Sequence, residues 1–466
     1  MKIVKTLMII MHIVTQSIIC IAFTLSKTSA QEKITISRAL IPDKENLQIE
    51  IYNLGISDRR TNTFVKAEDD GTNMVFDMEQ VKQPTYFKIN GVDKRLSECL
   101  FLLSPNDNIS IVNEVGKISF LGNNALVYEC IYKQHEMSEI FMKAHPAPDT
   151  SSESLFQNLK YNFILAKKKE SIIESYEGKI PTNLKGMLLA DLRYGQLSYY
   201  YSLLKLKSVD KNQSEKFLSN IYKPDTAFDN SLLFAYPSFV INKYEYEQLK
   251  LDRKIDIKSA LNFLEQNFKG RSQQQIMAYL LSTRLRSQII DSVEYEHFLS
   301  YADADFIFHF KEYTKGRVSG SFASDFKLNG VDGNSYSLKD FRGKVIVMDF
   351  WFTGCGACRL LNPILEQASQ KMRNERVAFL SISIDKKKEI WEKSLKGNKY
   401  SFPGAIKLYT EGLGDKHPII SDYNIKGYPT VVIISPEGKL LPLPVNPRSD
   451  KAESLLAVIN SALLNQ

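Results

Sequence analysis

Residues 344–352 read "KVIVMDFWF" and are apolar at nearly every position. A half-exposed strand would alternate with polar residues, so an unbroken run of this length points to a strand covered on both faces, as in the centre of a parallel sheet. Its surroundings alternate in kind. Before it, "NGVDGNSYSL" predicts a hairpin with Asp332-Gly333 at the turn. After it come a helix from "CGAC" onward, a strand "VAFLSISI", a helix "KKEIWEKSLK", a strand "TVVIIS" with a Pro-Glu-Gly turn, and a helix "SDKAESLLAVINSALL". Residues 320–466 are therefore expected to form an α/β layer domain.

Two cysteines, Cys355 and Cys358, follow that central run directly. A pair at this spacing suits a metal site, a disulfide or redox exchange. A structural zinc site needs four ligands, and the only downstream histidine is the isolated His417, so no metal is expected. Two buried thiols that happen to be neighbours are the bland alternative. Three features favour exchange. Cys355 falls where a strand turns into a helix, so the helix dipole and free backbone N–H groups favour its thiolate and make it the attacking nucleophile. Cys358 lies one turn deeper on the same helical face, placed to resolve a mixed disulfide. Asp349, among apolar neighbours on the strand, is a carboxyl whose burial raises its pKa and suits it to accept the Cys358 proton.

The segment "VMDFWFTGCGACRLLNPILE" resembles the active-site segment of thioredoxin-fold proteins, with Asp349 at the family's buried acid, Phe350-Trp351 before the motif and Pro363 five residues after Cys358. Further on, "YNIKGYPTVVIISPEGK" resembles the loop in which that family carries a cis proline, at Pro429. The spacing leaves room for the extra strand and helix of the extracytoplasmic TlpA/ResA-type thiol–disulfide oxidoreductases. This resemblance implies a thioredoxin-like fold for residues 320–466, and catalytic roles for Cys355, Cys358 and Asp349. It implies substrate contacts at Trp351, Tyr428 and Pro429, with the Tyr428 backbone turned toward the sulfurs to pair with an extended segment. Protein disulfides are the implied substrates, with reduction the expected direction, and a thiol electron donor, such as a membrane redox protein, the implied partner. The dithiol carries both electrons, so no organic cofactor is expected. Ala357 stands where the family commonly has Pro, and Gly354 where it often has Trp. The first change predicts a looser turn, the second a more open surface beside Cys355.

At the N-terminus, Lys2 and Lys5 precede the apolar "TLMIIMHIVTQSIICIAFTL", and "TSA" leads into a polar stretch. This predicts a secretory signal over residues 1–30, cut after Ala30, and a periplasmic protein of a bacterial cell envelope. The alternative is an uncleaved anchor holding the chain to the membrane, facing the periplasm. Cleavage removes Cys20 and leaves Cys99 and Cys130 besides the dithiol. Outside the cytosol these two suit a structural bridge, two separate buried thiols or a second redox centre.

Residues 31–145 are expected to be a β-rich, sandwich-like domain, because "KITISRAL", "LQIEIYN", "TYFKIN", "CLFLLS", "NISIVN" and "KISFLG" are short strand-like runs between turn residues. Cys99 and Cys130 both fall in strand-like segments of it. A polar hinge, "AHPAPDTSSES", precedes a helical domain over 151–315, where "SLFQNLKYNFILAKKKESIIESY", "NLKGMLLADLRYGQLSYYYSLLKL" and "IKSALNFLEQNF" carry apolar residues at helical spacing. Tyr194, Tyr199, Tyr200 and Tyr201 are read as helix packing rather than a groove. A second boundary is expected near "KGRVSGSFAS", 315–324. The β-region and helices, with "LFLLSPNDNISI" and "ISFLGNNALVYECIY", resemble the N-terminal extensions of multidomain members of the same subfamily and bring no chemistry with them. Net charge is +7, yet the basic residues are scattered, and the densest runs, "AKKKE" and "DKKKE", read as solvated helix ends. No nucleic-acid partner is expected. Two rival functions follow from other features: a thiol peroxidase, which lacks here the Pro-x-x-x-Thr-x-x-Cys setting, and an envelope binding or scaffold protein with a vestigial redox domain.

Overall fold

The structure is a computed structural model that describes residues 32–52, 62–78, 81–146, 152–206, 230–253, 257–285, 290–372, 376–442 and 446–464. The expected signal segment, with Cys20, lies outside these residues. Among the described residues no helix is long and apolar enough to cross a membrane. The chain divides into two compact units, one ending at Tyr246 and one beginning at Glu247.

Among the described residues of the first unit there are two sheets, with the short helix Lys94–Ser97 between two strands of the second. Five strands run in the order Glu68–Asp69, Asn73–Asp77, Lys33–Ser37, Asn108–Glu114, Lys117–Gly122, and four in the order Thr63–Lys66, Gln48–Ile51, Thr85–Asn90, Phe101–Leu103. Period-two burial fixes the register: Ile34 and Ile36 are buried on Lys33–Ser37 while their neighbours are not. The strand-like reading of the stretch through residue 145 needs correction. Strands end at Gly122, and "ALVYECIY" opens the helix Ala125–Ala144. Val127, Tyr128, Ile131 and Tyr132 recur at helical spacing and are all buried, so the 3.6-residue period prevails over the β-branched local composition. Helices Ser152–Glu174 and Thr182–Leu204 follow, and the helix Tyr236–Lys250 carries the division between the units. "AKKKE" lies within the first of these rather than at its end, and burial lowers the Lys169 pKa. Tyr194 and Tyr200 are buried in the helical core.

The second unit begins with helices Ile257–Asn267, Gly270–Leu285, Ser292–Leu299 and Ala304–Thr314. The stretch read from sequence as the boundary near 315–324 is built into the fold. Ile290 N–H donates to Arg317 O at 2.7 Å, Ser319 N–H to Ile290 O at 2.8 Å, Gly320 N–H to Leu440 O and Ala323 N–H to Gly438 O at 2.8 Å each. Seven strands then form one sheet in the order Ser335–Ser337, Lys327–Gly330, Ile406–Tyr409, Val377–Ser383, Val345–Trp351, Thr430–Ile434, Leu440–Leu441. The apolar run is its centre: Val345–Trp351 is buried at every position, parallel to Val377–Ser383 and antiparallel to Thr430–Ile434. Asp332-Gly333 makes the expected hairpin turn, with Asp332 Oδ1 accepting the Asn334 N–H at 3.1 Å.

Alternation along the central strand sorts its side chains into two cores. Ile346, Met348 and Phe350 pack with Leu328, Ile419 and Tyr423 on one face. Val345 and Val347 pack on the other with Leu361, Leu365 and Ala368 of the helix Gly356–Lys371 and with Leu455 and Ile459 of the helix Glu453–Leu464. Parity therefore puts Asp349 and Trp351 on the face covered by the helix that the cysteines open. That placement builds the site.

Candidate redox site

Cys355 and Cys358 form a disulfide, with an S–S distance of 1.95 Å and Cα atoms 5.3 Å apart. Cys355 is the N-cap of the helix Gly356–Lys371, and its Sγ accepts the Cys358 N–H at 3.1 Å. Cys358, Leu361, Leu365 and Ala368 share the buried stripe of that helix, and Cys355 at its start is buried as well. Pro363 lies inside the helix.

Asp349 stands opposite Ser381 on one neighbouring strand and Val431 on the other. Its carboxyl is buried, and its Oδ1 has no hydrogen-bond partner among the described residues. Desolvation alone pushes its pKa up to about 8. In the disulfide form this acid holds its proton at neutral pH.

Trp351, Cys355, Cys358, Trp391, Tyr400 and Tyr409 form one packed cluster, with Ala357 and Tyr428 against it. The peptide bond Tyr428–Pro429 is cis. Tyr428 is half-buried, and burial pushes its phenol up to about 12. Trp351, read from sequence as a substrate contact, is fully buried in this cluster, its Nε1–H donating to Ser381 Oγ at 2.8 Å. The exposed aromatic is the next residue, Phe352, whose ring meets Tyr428 edge-on at 5.6 Å.

Three further residues enter the site. Asp385 opens the "DKKKE" run that the sequence suggests is solvated. Lys386, Lys387 and Lys388 are indeed exposed, but Asp385 is buried and accepts from both the N–H and the hydroxyl of Thr353. Its position at the carboxyl end of a strand beside the central one is the signal that places it here. Tyr400 and Trp391 carry no local signal. Trp391 stacks on Tyr409 with ring centroids 4.8 Å apart.

Cys99 and Cys130 are separate buried free thiols. Cys130 lies on the helix Ala125–Ala144, not on a strand. The Cys99 thiol donates to Arg95 O at 3.2 Å, and Gln134 Nε2 lies 3.6 Å from Cys130 Sγ. Burial pushes the two thiols up to about 12 and about 11, which keeps them protonated. Among the described residues, the His, Cys, Asp and Glu group compact enough for a cation is Glu98, His135 and Glu139, in the first unit.

A buried parallel strand leading into a helix at two linked cysteines is the arrangement of thioredoxin-like domains, and a family model described as Thioredoxin-like matches residues 343–440. The thioredoxin-like protein YneN of Bacillus subtilis is 31% identical over 145 residues, which span 30% of this chain and 82% of that protein. The thiol-disulfide oxidoreductase ResA of the same organism is 25% identical over 122 residues, spanning 26% of this chain and 64% of that protein, just under two thirds. Among solved structures, the thioredoxin domain of a thiol-disulfide oxidoreductase from Bacteroides vulgatus is 28% identical and covers 30% of this chain and 97% of that one, at a TM-score of 0.26. Through its C-terminal region the chain belongs to the thioredoxin-like family.

Proposed function

We propose that the chain is an exported thiol–disulfide oxidoreductase that reduces protein disulfides through Cys355 and Cys358. The observation that carries this reading is the Cys355–Cys358 pair at the strand-to-helix junction, on the sheet face that also holds the buried Asp349.

In the reducing direction, the Cys355 thiolate attacks one sulfur of the client disulfide. A mixed disulfide forms, and the first client sulfur leaves as thiolate. Cys358 then gives its proton to the Asp349 carboxylate and attacks Cys355 Sγ. The Cys355–Sγ bond to the client breaks, the second client thiolate leaves, and the two electrons now on the client have come from the dithiol. The oxidised pair with a protonated Asp349 is the end point, and an external thiol donor runs the steps backward, with Asp349 returning the proton to Cys358. Tyr428, with Pro429 beside it, packs against the sulfur cluster where an extended client segment would pass.

The N-terminal pattern supports export to the periplasm of a bacterial envelope, with retention as a membrane anchor the variant form. The β-rich region 31–145 and the helical region 151–315 are then extensions that accompany the redox domain over 320–466. The sandwich-like architecture of the first belongs to this proposal.

The test is a trap. Cys358→Ala leaves the mixed disulfide on Cys355 unresolved, so a disulfide-bonded client should accumulate as a covalent adduct that dithiothreitol releases. A Cys358→Ala chain that forms no adduct, together with a parent chain that leaves the client oxidised, overturns the proposal.

A further inference from the structure

Asp385 is a buried acid that the proposed reaction leaves without a task. Its side chain is only 8% exposed with the rest of its residue. Oδ1 accepts the Thr353 N–H at 2.9 Å, and Oδ2 accepts the Thr353 hydroxyl at 2.8 Å. Ser383 Oγ donates to the same Oδ2 at 2.9 Å and lies 3.1 Å from the Asp385 N–H, so the carboxylate is itself held in place.

The turn it grips is closed by one backbone hydrogen bond of its own, Cys355 N–H to Phe352 O at 3.1 Å. Gly354, between Thr353 and Cys355, sits at φ +101, where glycine alone is at ease. A Cβ at Gly354 or at Gly356 would meet nothing within 4 Å, so no neighbour packs on the side-chain side of either residue. Ala357 supplies none of the φ restraint that a proline gives the first helical turn. Beyond that backbone bond, the chain before Cys355 is held from outside, by Asp385 at Thr353 and by the Tyr400 hydroxyl, which accepts the Gly354 N–H at 2.9 Å.

We infer that Asp385 is a positioning residue for the dithiol: it ties the turn before Cys355 to the end of the neighbouring strand and so keeps Cys355 Sγ within reach of Cys358. The inference rests on the redox reading above and adds how the balance between dithiol and disulfide is set. In exchange with dithiothreitol, the reagent becomes its cyclic disulfide, and its two electrons and two protons pass to Cys355 and Cys358. Two thiols held close have a high effective concentration for each other, which favours the disulfide side. Loosening the turn lowers that concentration and moves the balance toward dithiol.

The experiment equilibrates the full chain with reduced and oxidised dithiothreitol, quenches with acid, alkylates free thiols and reads the dithiol fraction by mass. Asp385→Ala removes both accepting oxygens and is expected to shift the equilibrium about tenfold toward dithiol, or about 30 mV. Asp385→Asn keeps one accepting oxygen for Thr353 and should stay within about threefold of the parent. Thr353→Val removes the side-chain donor alone. It should give an intermediate shift, and it carries the test if Asp385→Ala does not fold. Equal shifts for Asp385→Asn and Asp385→Ala would assign the effect to the lost charge and overturn the tether. Shifts under about twofold in both Asp385→Ala and Thr353→Val would overturn it as well. A parent chain that never equilibrates with the buffer sinks the redox reading, and the inference with it.

Discussion

Tyr400 lies flat against Trp351, their ring centroids 5.1 Å apart and their planes within 4° of parallel. The same tyrosine holds the Gly354 N–H through its hydroxyl. One side chain thus supports the floor of the site and the backbone beside Cys355.

The two contributions of Tyr400 separate by substitution. Tyr400→Phe keeps the stacked ring and leaves the Gly354 N–H without its acceptor, at a cost of about 1 kcal/mol. Tyr400→Ala also removes a buried aromatic ring and should cost about 3 kcal/mol or more. Denaturant titration of the oxidised full chain reads both. Equal losses in the two variants would show that the hydrogen bond, rather than the stack, carries the effect.

Asp349 gives the oxidised protein a pH signature. Its pKa in the fold is about 8, far above the ordinary 3.8, because burial disfavours the charged form. Between those values the folded state holds a proton that the unfolded chain releases. The group's contribution is therefore fully present below the unfolded pKa, declines as pH rises, and is lost above the folded pKa. Asp349→Asn should abolish a slope of about 1.4 kcal/mol per pH unit within that window and gain stability over the parent most clearly above pH 8. Parallel stability–pH curves for parent and variant would contradict the buried, proton-holding carboxyl.

Cys99 and Cys130 behave as packing residues. Each is buried and free, and each has its thiol pKa raised by burial. A maleimide should label neither in the native chain at neutral pH, and should label both after denaturation. Cys99→Ala and Cys130→Ala should leave disulfide exchange at Cys355 unchanged while lowering stability by about 1–2 kcal/mol each, as the loss of a small buried side chain does. Rapid native labelling of either thiol would place it at the surface instead.

How far the sequence reveals this structure depends on where each signal resides. The central strand, the helix start at Cys355 and the acid at Asp349 are all local, within ten residues of one another, and their burial follows from an unbroken apolar run. Asp385 is legible as a residue type but not as a contact, because three exposed lysines follow it and give the stretch the look of a solvated face. Its partner Thr353 becomes visible only when two parallel strands are set side by side. Tyr400 and Trp391 reach the dithiol from segments whose own sequence says nothing of cysteines. In the first unit, Thr63–Lys66 and Glu68–Asp69 escape a reading based on apolar alternation because the first has only Phe64 and Val65 side by side between exposed ends, the second is charged and exposed, and both end their sheets. "VYECIY" misleads for the opposite reason: β-branched and aromatic residues suit a strand, and only the longer window exposes a helical stripe.

Two glycines with positive φ separate backbone strain from steric room. Gly354 sits at φ +101 in open space, and Gly316 at φ +71 with Asp422 O only 1.9 Å from where a Cβ would be. Either Ala substitution carries the left-handed penalty of about 1–2 kcal/mol. At Gly354 nothing is added to it, so Gly354→Ala should cost about that much. At Gly316 the obstacle is a main-chain carbonyl of the helix Pro418–Asp422, which cannot rotate aside as a side chain would. Gly316→Ala should therefore cost at least about 2 kcal/mol more than Gly354→Ala, since the backbone must shift to make room. Paired denaturant titrations of the two variants decide the matter. Matching losses would mean that the stretch before the sheet yields freely, against the hydrogen bonds that tie residues 319–323 to Ile290 and to the hairpin end at Gly438–Leu440.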